Sequence, residues 1–141
     1  MTRHNQNKFC FCSRYLKRWF IAANDDLLAA KTLATDLRIT NLAAFHCQQC
    51  LEKCFKAVIE EFENLNLKSH DLIRLQIAAD IQLTDDELNL MEIINEVYID
   101  ARYPGNLGLL PHGKPSVDEI ANFIQFCEDI SFKLKKKVEN H

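Results

Sequence analysis

The chain has 141 residues, a net charge of −3 and 48% hydrophobic residues. That length suits one compact domain, and the small negative charge excludes a protein held on nucleic acid by its overall charge alone. No apolar stretch is long enough for a membrane span or for the core of a signal peptide. We therefore expect a cytoplasmic protein with no membrane contact, whose six cysteines stay reduced.

The first predicted element is a long amphipathic helix. Apolar residues recur at steps of three and four from Tyr15 to Leu37, which is the period of a helix that buries one face. The polar segment before it, residues 1–12, is expected to be an N-terminal tail. Residues 13–141 are then expected to form the folded domain.

Two further helices are predicted in the middle of the chain. The second runs from about Leu42 to Asn64, and Thr40 or Asn41 is the candidate N-cap. The stretch NLNLKSHDLIRL follows it, and this stretch predicts a short third helix with Ser69 as the N-cap.

Two capping boxes open the last two predicted helices. Thr84 is followed at the third position by Glu87, and Ser116 is followed in the same way by Glu119. Between these helices, residues 103–115 contain all three glycines and all three prolines and predict a loop. The expected fold is all-α, an up-down antiparallel bundle of four long helices and one short helix.

Three cysteines lie within the second helix, in the stretch FHCQQCLEKCFKAV: Cys47, Cys50 and Cys54. Helical geometry puts them on the same apolar stripe as Leu51, which favours small core residues. A zinc site completed by Cys127, or a redox function, is the alternative. One CxxC in mid-helix without a second pair is not the usual spacing of a structural zinc site, so no metal or other cofactor is expected. Cys10 and Cys12 allow no assignment.

A polar stripe runs along the same helix, roughly opposite the cysteines: His46, Gln49, Lys53, Lys56 and Glu60. A solvated face explains such a stripe, and so does a recognition surface whose lysines bind phosphate. His70, in SHDL, has no evident structural need. Arg102, followed by Tyr103, ends the fourth helix without an evident carboxylate partner and is a candidate anion-binding residue.

Taken in order, these segments resemble the HEPN domain, the higher eukaryotes and prokaryotes nucleotide-binding domain. The matching pieces are Trp19 with Ala22-Ala23 and Asp26-Leu27, then FHCQQCLEKCFKAV, then SHDL, and finally Tyr98 to the RYP of residues 102–104. The resemblance implies a helical bundle that is usually a dimer. It also implies a partnership with a minimal nucleotidyltransferase as a toxin–antitoxin pair, or fusion to other domains.

Many domains of this family are metal-independent ribonucleases, whose signature is Arg followed by four to six residues and then His. The signature is absent here, since seven residues separate Arg38 from His46 and nine separate Arg102 from His112. We therefore expect a non-catalytic or weakly catalytic domain that forms a homodimer and binds a nucleotide, RNA or a minimal nucleotidyltransferase partner. The expected binding residues are His46, Gln49, Lys53, Lys56, His70, Arg102 and Tyr103. The alternatives are a ribonuclease with a degenerate site built from Arg102 with His70 or His46, and a structural dimerisation module.

Overall fold

The computed structural model describes the backbone of residues 3–63, 67–102 and 114–140, and the side chains of residues 16–62, 67–97 and 114–140. These residues form five α-helices and no strand: α1 Arg3–Leu33, α2 Thr40–Val58, α3 Leu72–Ala78, α4 Asp85–Arg102 and α5 Val117–Glu139. A π-helical segment, Ile59–Glu63, continues α2. None of the described helices combines the length and hydropathy needed to cross a membrane.

The helices form an up-down bundle with α2 at its centre. α2 packs against α1, α3, α4 and α5. α1 and α5 run antiparallel, because Lys135 lies over the ring of Phe20 while Lys31 pairs with Glu128 further along α1. The predicted all-α bundle of four long helices and one short helix is confirmed.

The core is built around the apolar side of α2. Its fully buried apolar residues are Ala43, Ala44, Cys47, Cys50, Leu51, Cys54, Phe55, Ala57 and Val58. α5 faces them with Ile120, Phe123, Cys127, Ile130 and Leu134. Cys47, Cys50 and Cys54 are therefore small core residues, as their place on the leucine stripe predicted.

The first two helices begin earlier than predicted. α1 begins at Arg3 and not at Tyr15, so most of the expected tail has helical backbone. α2 has Ile39 at its N-cap with no side-chain cap, so neither Thr40 nor Asn41 has the predicted capping function. Thr40 is instead the first helical residue and is fully buried, which means that tertiary packing, and not a cap, fixes this helix start.

The short helix α3 is capped by a different residue from the one predicted. Asp71 is the N-cap and accepts a hydrogen bond from the backbone N–H of Ile73 at 3.0 Å. Ser69 lies two residues earlier, and its hydroxyl accepts a hydrogen bond from the N–H of Asp71. From α4, the Asn95 side chain accepts from the N–H of Leu72 and donates to Asp71. α4 therefore fixes the SHDL segment in place.

Both predicted capping boxes are present. The Thr84 hydroxyl accepts from the N–H of Glu87, whose carboxylate accepts from the N–H of Thr84. Ser116 and Glu119 make the same reciprocal pair. Each box satisfies backbone donors that the first turn of a helix leaves without partners.

Candidate functional site on helix α2

Two carboxylates are buried in the bundle, one from α1 and one from α2. Asp26 is 8% exposed and Glu52 is 5% exposed. A carboxylate taken out of water needs charged or hydrogen-bonding partners, because its lost hydration is expensive. Each of these two acids has one lysine and one histidine as partners.

The first centre joins α1 to α2. Asp26 Oδ1 lies 2.9 Å from His46 Nδ1, and Asp26 Oδ2 accepts from Lys53 Nζ at 2.5 Å. An ionised carboxylate only accepts hydrogen bonds, so Nδ1 is the atom of His46 that carries the proton. The other ring nitrogen, Nε2, then carries a lone pair in the neutral ring and can exchange a proton with a ligand.

The second centre joins α2 to the segment before α3. Glu52 Oε1 lies 3.0 Å from His70 Nδ1, and Glu52 Oε2 accepts from Lys56 Nζ at 2.9 Å. The Gln48 amide donates both to Glu52 Oε1 at 3.2 Å and to the backbone carbonyl of His70 at 2.9 Å. His70 is therefore held through its ring and through its backbone.

The contacts of Glu52 favour its ionised form. Burial alone would raise the pKa of this carboxyl group. The hydrogen bonds from His70, Lys56 and Gln48, together with the positive charge of Lys56, outweigh burial and lower the pKa below its ordinary value. Glu52 is therefore a carboxylate at neutral pH and holds its cationic partners in fixed positions.

The acids lie inside and their basic partners lie further out. Exposed fractions are 31% for the side chain of His46, 27% for Lys53, 16% for Lys56 and 52% for His70. We call this surface the polar face of α2, and it comprises His46, Gln48, Gln49, Glu52, Lys53 and Lys56. The predicted stripe residues His46, Gln49, Lys53 and Lys56 are half-buried, whereas Gln48 and Glu52 beside them are buried.

The local charge also differs from the basic patch that Lys53 and Lys56 suggest in the sequence. Each lysine is paired with a buried carboxylate, so the charges of the two lysines and the two acids offset one another. The two centres are therefore ion-paired and do not form a patch of unpaired positive charge.

Five of the seven predicted binding residues lie at these two centres or in direct contact with one: His46, Gln49, Lys53, Lys56 and His70. Gln49 joins the second centre by donating from its amide to Gln48 Oε1 at 2.7 Å. Arg102 is the last residue of α4, and its side chain lies outside the described residues, as does the whole of Tyr103. Convergence of those two on the polar face stays a prediction.

Three residues that organise the site were not among the predicted site residues: Asp26, Gln48 and Glu52. A signal for two of them existed, because Gln48, Glu52 and Lys56 recur at steps of four and so share one side of the helix. Asp26 interrupts the apolar pattern of α1 directly before Leu27. Its burial depends on α2 lying alongside, which helical periodicity within α1 does not show.

The opposite face of α2 places its cysteines against Cys127 of α5. Cys47, Cys50, Cys54 and Cys127 are free and buried. The Cys127 thiol lies 3.4 Å from the backbone carbonyl oxygen of Cys47, to which it donates. Burial raises the pKa of Cys127, and hydrogen bonds with Cys47 and Cys50 raise it further, so it stays a thiol at neutral pH. In the part of the chain that the structure describes, no three His, Cys, Asp or Glu side chains are arranged to hold a metal ion.

Comparison with known proteins gives a family from the sequence and a structural likeness from the fold. The family model for the HEPN domain matches residues 16–137. The crystal structure of an archaeal HEPN homologue superimposes with a TM-score of 0.66 over 87% of this chain and 97% of that chain, at 22% sequence identity. A comparison with curated proteins gave no match. The structural likeness, at that identity, supports the fold alone.

Proposed function

The chain belongs to the HEPN domain family, and on that premise we propose that the polar face of α2 binds the phosphate groups of a nucleotide or of RNA. The observation that carries the proposal is the pairing of two buried carboxylates, Asp26 and Glu52, each with a lysine and a histidine. Lysine ammonium groups and protonated imidazoles are donors for phosphate oxygens. The carboxylates hold these donors in place before any ligand arrives.

The test is calorimetric binding of inorganic diphosphate and of a short single-stranded RNA to folded variants. Lys53→Ala and Arg102→Ala are each expected to weaken binding by about 1–3 kcal/mol, which is the usual effect of a lost charge-assisted contact. Lys31→Ala is the matched control, because Lys31 is an exposed lysine paired with Glu128 away from the polar face. Equal binding by all three variants would replace this function with that of a structural dimerisation module.

A second candidate function is metal-independent cleavage of RNA, although the arginine–histidine signature is absent. The observation that favours it is that His46 and His70 each place Nδ1 within hydrogen-bond distance of a carboxylate, which fixes the orientation of both rings. One histidine would take the proton of a ribose 2′-hydroxyl as it attacks phosphorus, and the other would protonate the departing 5′-oxygen. Arg102 would then join the site as an anion-binding residue.

Cleavage is tested with a fluorescent RNA in the presence of a chelator. Loss of activity in both His46→Ala and His70→Ala, with RNA binding retained, would support the ribonuclease. RNA that stays intact with the parent protein over a wide pH range would leave the binding function alone.

We further propose that the chain acts as a homodimer and, in the cell, with a minimal nucleotidyltransferase as a toxin–antitoxin pair. Three large apolar side chains are exposed on the outer sides of α1 and α5 and support a protein contact: Ile21, Leu28 and Phe132. The four free buried cysteines suit the reducing cytoplasm. Light scattering at micromolar concentration is expected to give a dimer mass, and a monomer mass throughout would contradict it.

A further inference from the structure

Four thiols meet where α5 packs on α2. Cys47, Cys50 and Cys54 lie along the buried side of α2, and Cys127 of α5 packs among them. The Cys127 thiol donates to the backbone carbonyl of Cys47 at 3.4 Å and is hydrogen-bonded to the thiol of Cys50. The Cys50 thiol is in turn hydrogen-bonded to that of Cys54. The function proposed above uses none of these thiols.

Helical spacing decides which of the four thiols can pair with one another. Side chains three or four residues apart on a helix have Cβ atoms about 5–6 Å apart, whereas a disulfide needs about 3.5–4.5 Å. Cys50 therefore cannot form a disulfide with Cys47 or Cys54 unless the backbone of α2 distorts. Cys127 belongs to the neighbouring helix and is not held at that spacing, so it is the cysteine that can pair with Cys50.

The hydrogen bonds of the cluster favour Cys50 as its nucleophile. Hydrogen bonds with Cys127 and Cys54 lower the pKa of Cys50, although burial opposes them. Burial, together with hydrogen bonds to Cys47 and Cys50, raises the pKa of Cys127. Because the thiolate is the reactive form of cysteine, Cys50 attacks first and Cys127 is the thiol that follows.

We propose that Cys50 and Cys127 form a site of reversible oxidation, at which a peroxide joins α2 to α5 by a disulfide bond. The Cys50 thiolate attacks one oxygen of hydrogen peroxide, the O–O bond breaks, and the hydroxide released takes up the proton that Cys50 had lost. The Cys127 sulfur then attacks the resulting sulfenic acid, loses its proton, and the S–O bond breaks to release water. Two thiols are oxidised and one peroxide is reduced to two waters. A small dithiol reverses the bond by exchange.

Burial sets the rate of this oxidation. The four thiols are at most 1% exposed, so an oxidant reaches them only when α5 separates locally from α2. Hydrogen peroxide is little larger than water and needs a small opening, and α5 packs chiefly on α2. The reaction is therefore expected to be slow in buffer and faster in urea at concentrations below the unfolding transition.

The test is a peptide map of the full chain after treatment with hydrogen peroxide in the presence of a chelator. Free thiols are blocked before the protein is denatured, and the digest is kept non-reducing. Trypsin cleaves after Lys53, which separates Cys50 from Cys54. The expected product joins residues 39–53 to the peptide that contains Cys127, lacks two hydrogen atoms, and is split by dithiothreitol.

Two variants then locate the bond, because Cys47 and Cys50 share one tryptic peptide. Cys47→Ala is expected to retain the linked peptides and Cys50→Ala to lose them. If Cys50→Ala does not fold, fragmentation of the linked peptides from the parent protein places the bond at one cysteine or the other.

Three results would overturn the proposal. They are a bond through Cys47, a bond through Cys54, and a Cys127 that stays a free thiol after peroxide treatment in urea below the unfolding transition. None of them depends on phosphate binding, so the oxidation site and the function of the polar face stand or fall separately.

Discussion

Helix α2 has an apolar face and the polar face, both contain buried side chains, and the two are held by different kinds of interaction. On the face toward α5, Cys47, Leu51 and Cys54 are fully buried among other apolar side chains. On the face toward α1 and the start of α3, Gln48 and Glu52 are as deeply buried but are fixed by hydrogen bonds. Apolar packing needs volume and is not directional, whereas a buried polar network needs every partner.

The two faces also differ in how much they contribute to the stability of the bundle. Buried ion pairs gain little net stability, because the desolvation of the charges offsets their attraction. An apolar residue at Glu52 would pack against α3 without that penalty. The polar face therefore contributes little net stability, which supports the ligand binding that we propose for it, while the face toward α5 forms the hydrophobic core.

The largest expected effect comes from breaking the apolar face. Leu51→Ala should destabilise the protein by about 3 kcal/mol, because it removes buried methyl groups and leaves a cavity against α5. Leu51→Met is the matched control and should lose less than about 1.5 kcal/mol, since it conserves volume. Urea unfolding followed by circular dichroism measures both. Equal losses would mean that the face tolerates cavities and is not tightly packed.

Breaking the polar face should have the next largest effect. Glu52→Ala leaves Lys56 and Gln48 without their acceptor in a mostly buried position, so a loss of about 2 kcal/mol is expected. Glu92→Ala is the matched control, because Glu92 is exposed on α4 and should change stability by less than about 0.5 kcal/mol. The same urea titrations compare them.

The contribution of Glu52 should also depend on pH. Its pKa is lower in the folded chain than its ordinary value of 4.5, so its contribution is complete above that value and is lost as the pH falls through the folded-state pKa. The difference in stability between the parent and Glu52→Ala should therefore shrink in acid. A difference that stays constant down to about pH 3 would assign the loss to packing and not to charge.

Of these two faces, only the apolar one could be predicted from the sequence. Cys47, Leu51 and Cys54 recur at steps of four and three, and this helical spacing of apolar residues predicts a buried face. The prediction does not require knowing which helix packs against that face. The capping boxes at Thr84 and Ser116 were likewise predictable, because both partners lie within one turn. These features are local, and local pattern is what a single sequence contains.

The polar face depends on contacts between residues that are far apart in the sequence, and sequence spacing does not reveal such contacts. His46 and Lys53 were identified as candidates from their stripe, yet their partner Asp26 is on another helix, 20 residues from His46. The same holds for His70, whose position depends on Gln48 and Glu52 from α2. Long-range pairing of this kind decides whether a polar stripe is solvated or buried.

A smaller loss of stability is expected when one thiol is removed from the apolar face. Cys47→Ala should cost about 1 kcal/mol, because sulfur fills a small volume in the core and its removal leaves little space. Metal analysis of protein purified without chelator should give well under one equivalent of zinc, and a chelator should leave the thermal midpoint unchanged. Stoichiometric zinc that disappears in Cys47→Ala would show that the thiols bind metal and would overturn their assignment to the core.

The smallest effect should come from an ion pair that lacks the burial of the polar face. Lys31 and Glu128 join α1 to α5 at 2.5 Å, but their side chains are 48% and 38% exposed. Water and salt screen such a pair, and holding two long side chains together opposes the attraction, so Lys31→Ala should change stability by less than about 0.5 kcal/mol.

Lys56→Ala, which removes a similar charge pair at Glu52, should lose clearly more because the acid it leaves is buried. Parallel thermal melts at low and high salt measure both variants. If Lys31→Ala and Lys56→Ala destabilise equally, burial is not what distinguishes the polar face, and its two centres would have to be regarded as ordinary surface ion pairs.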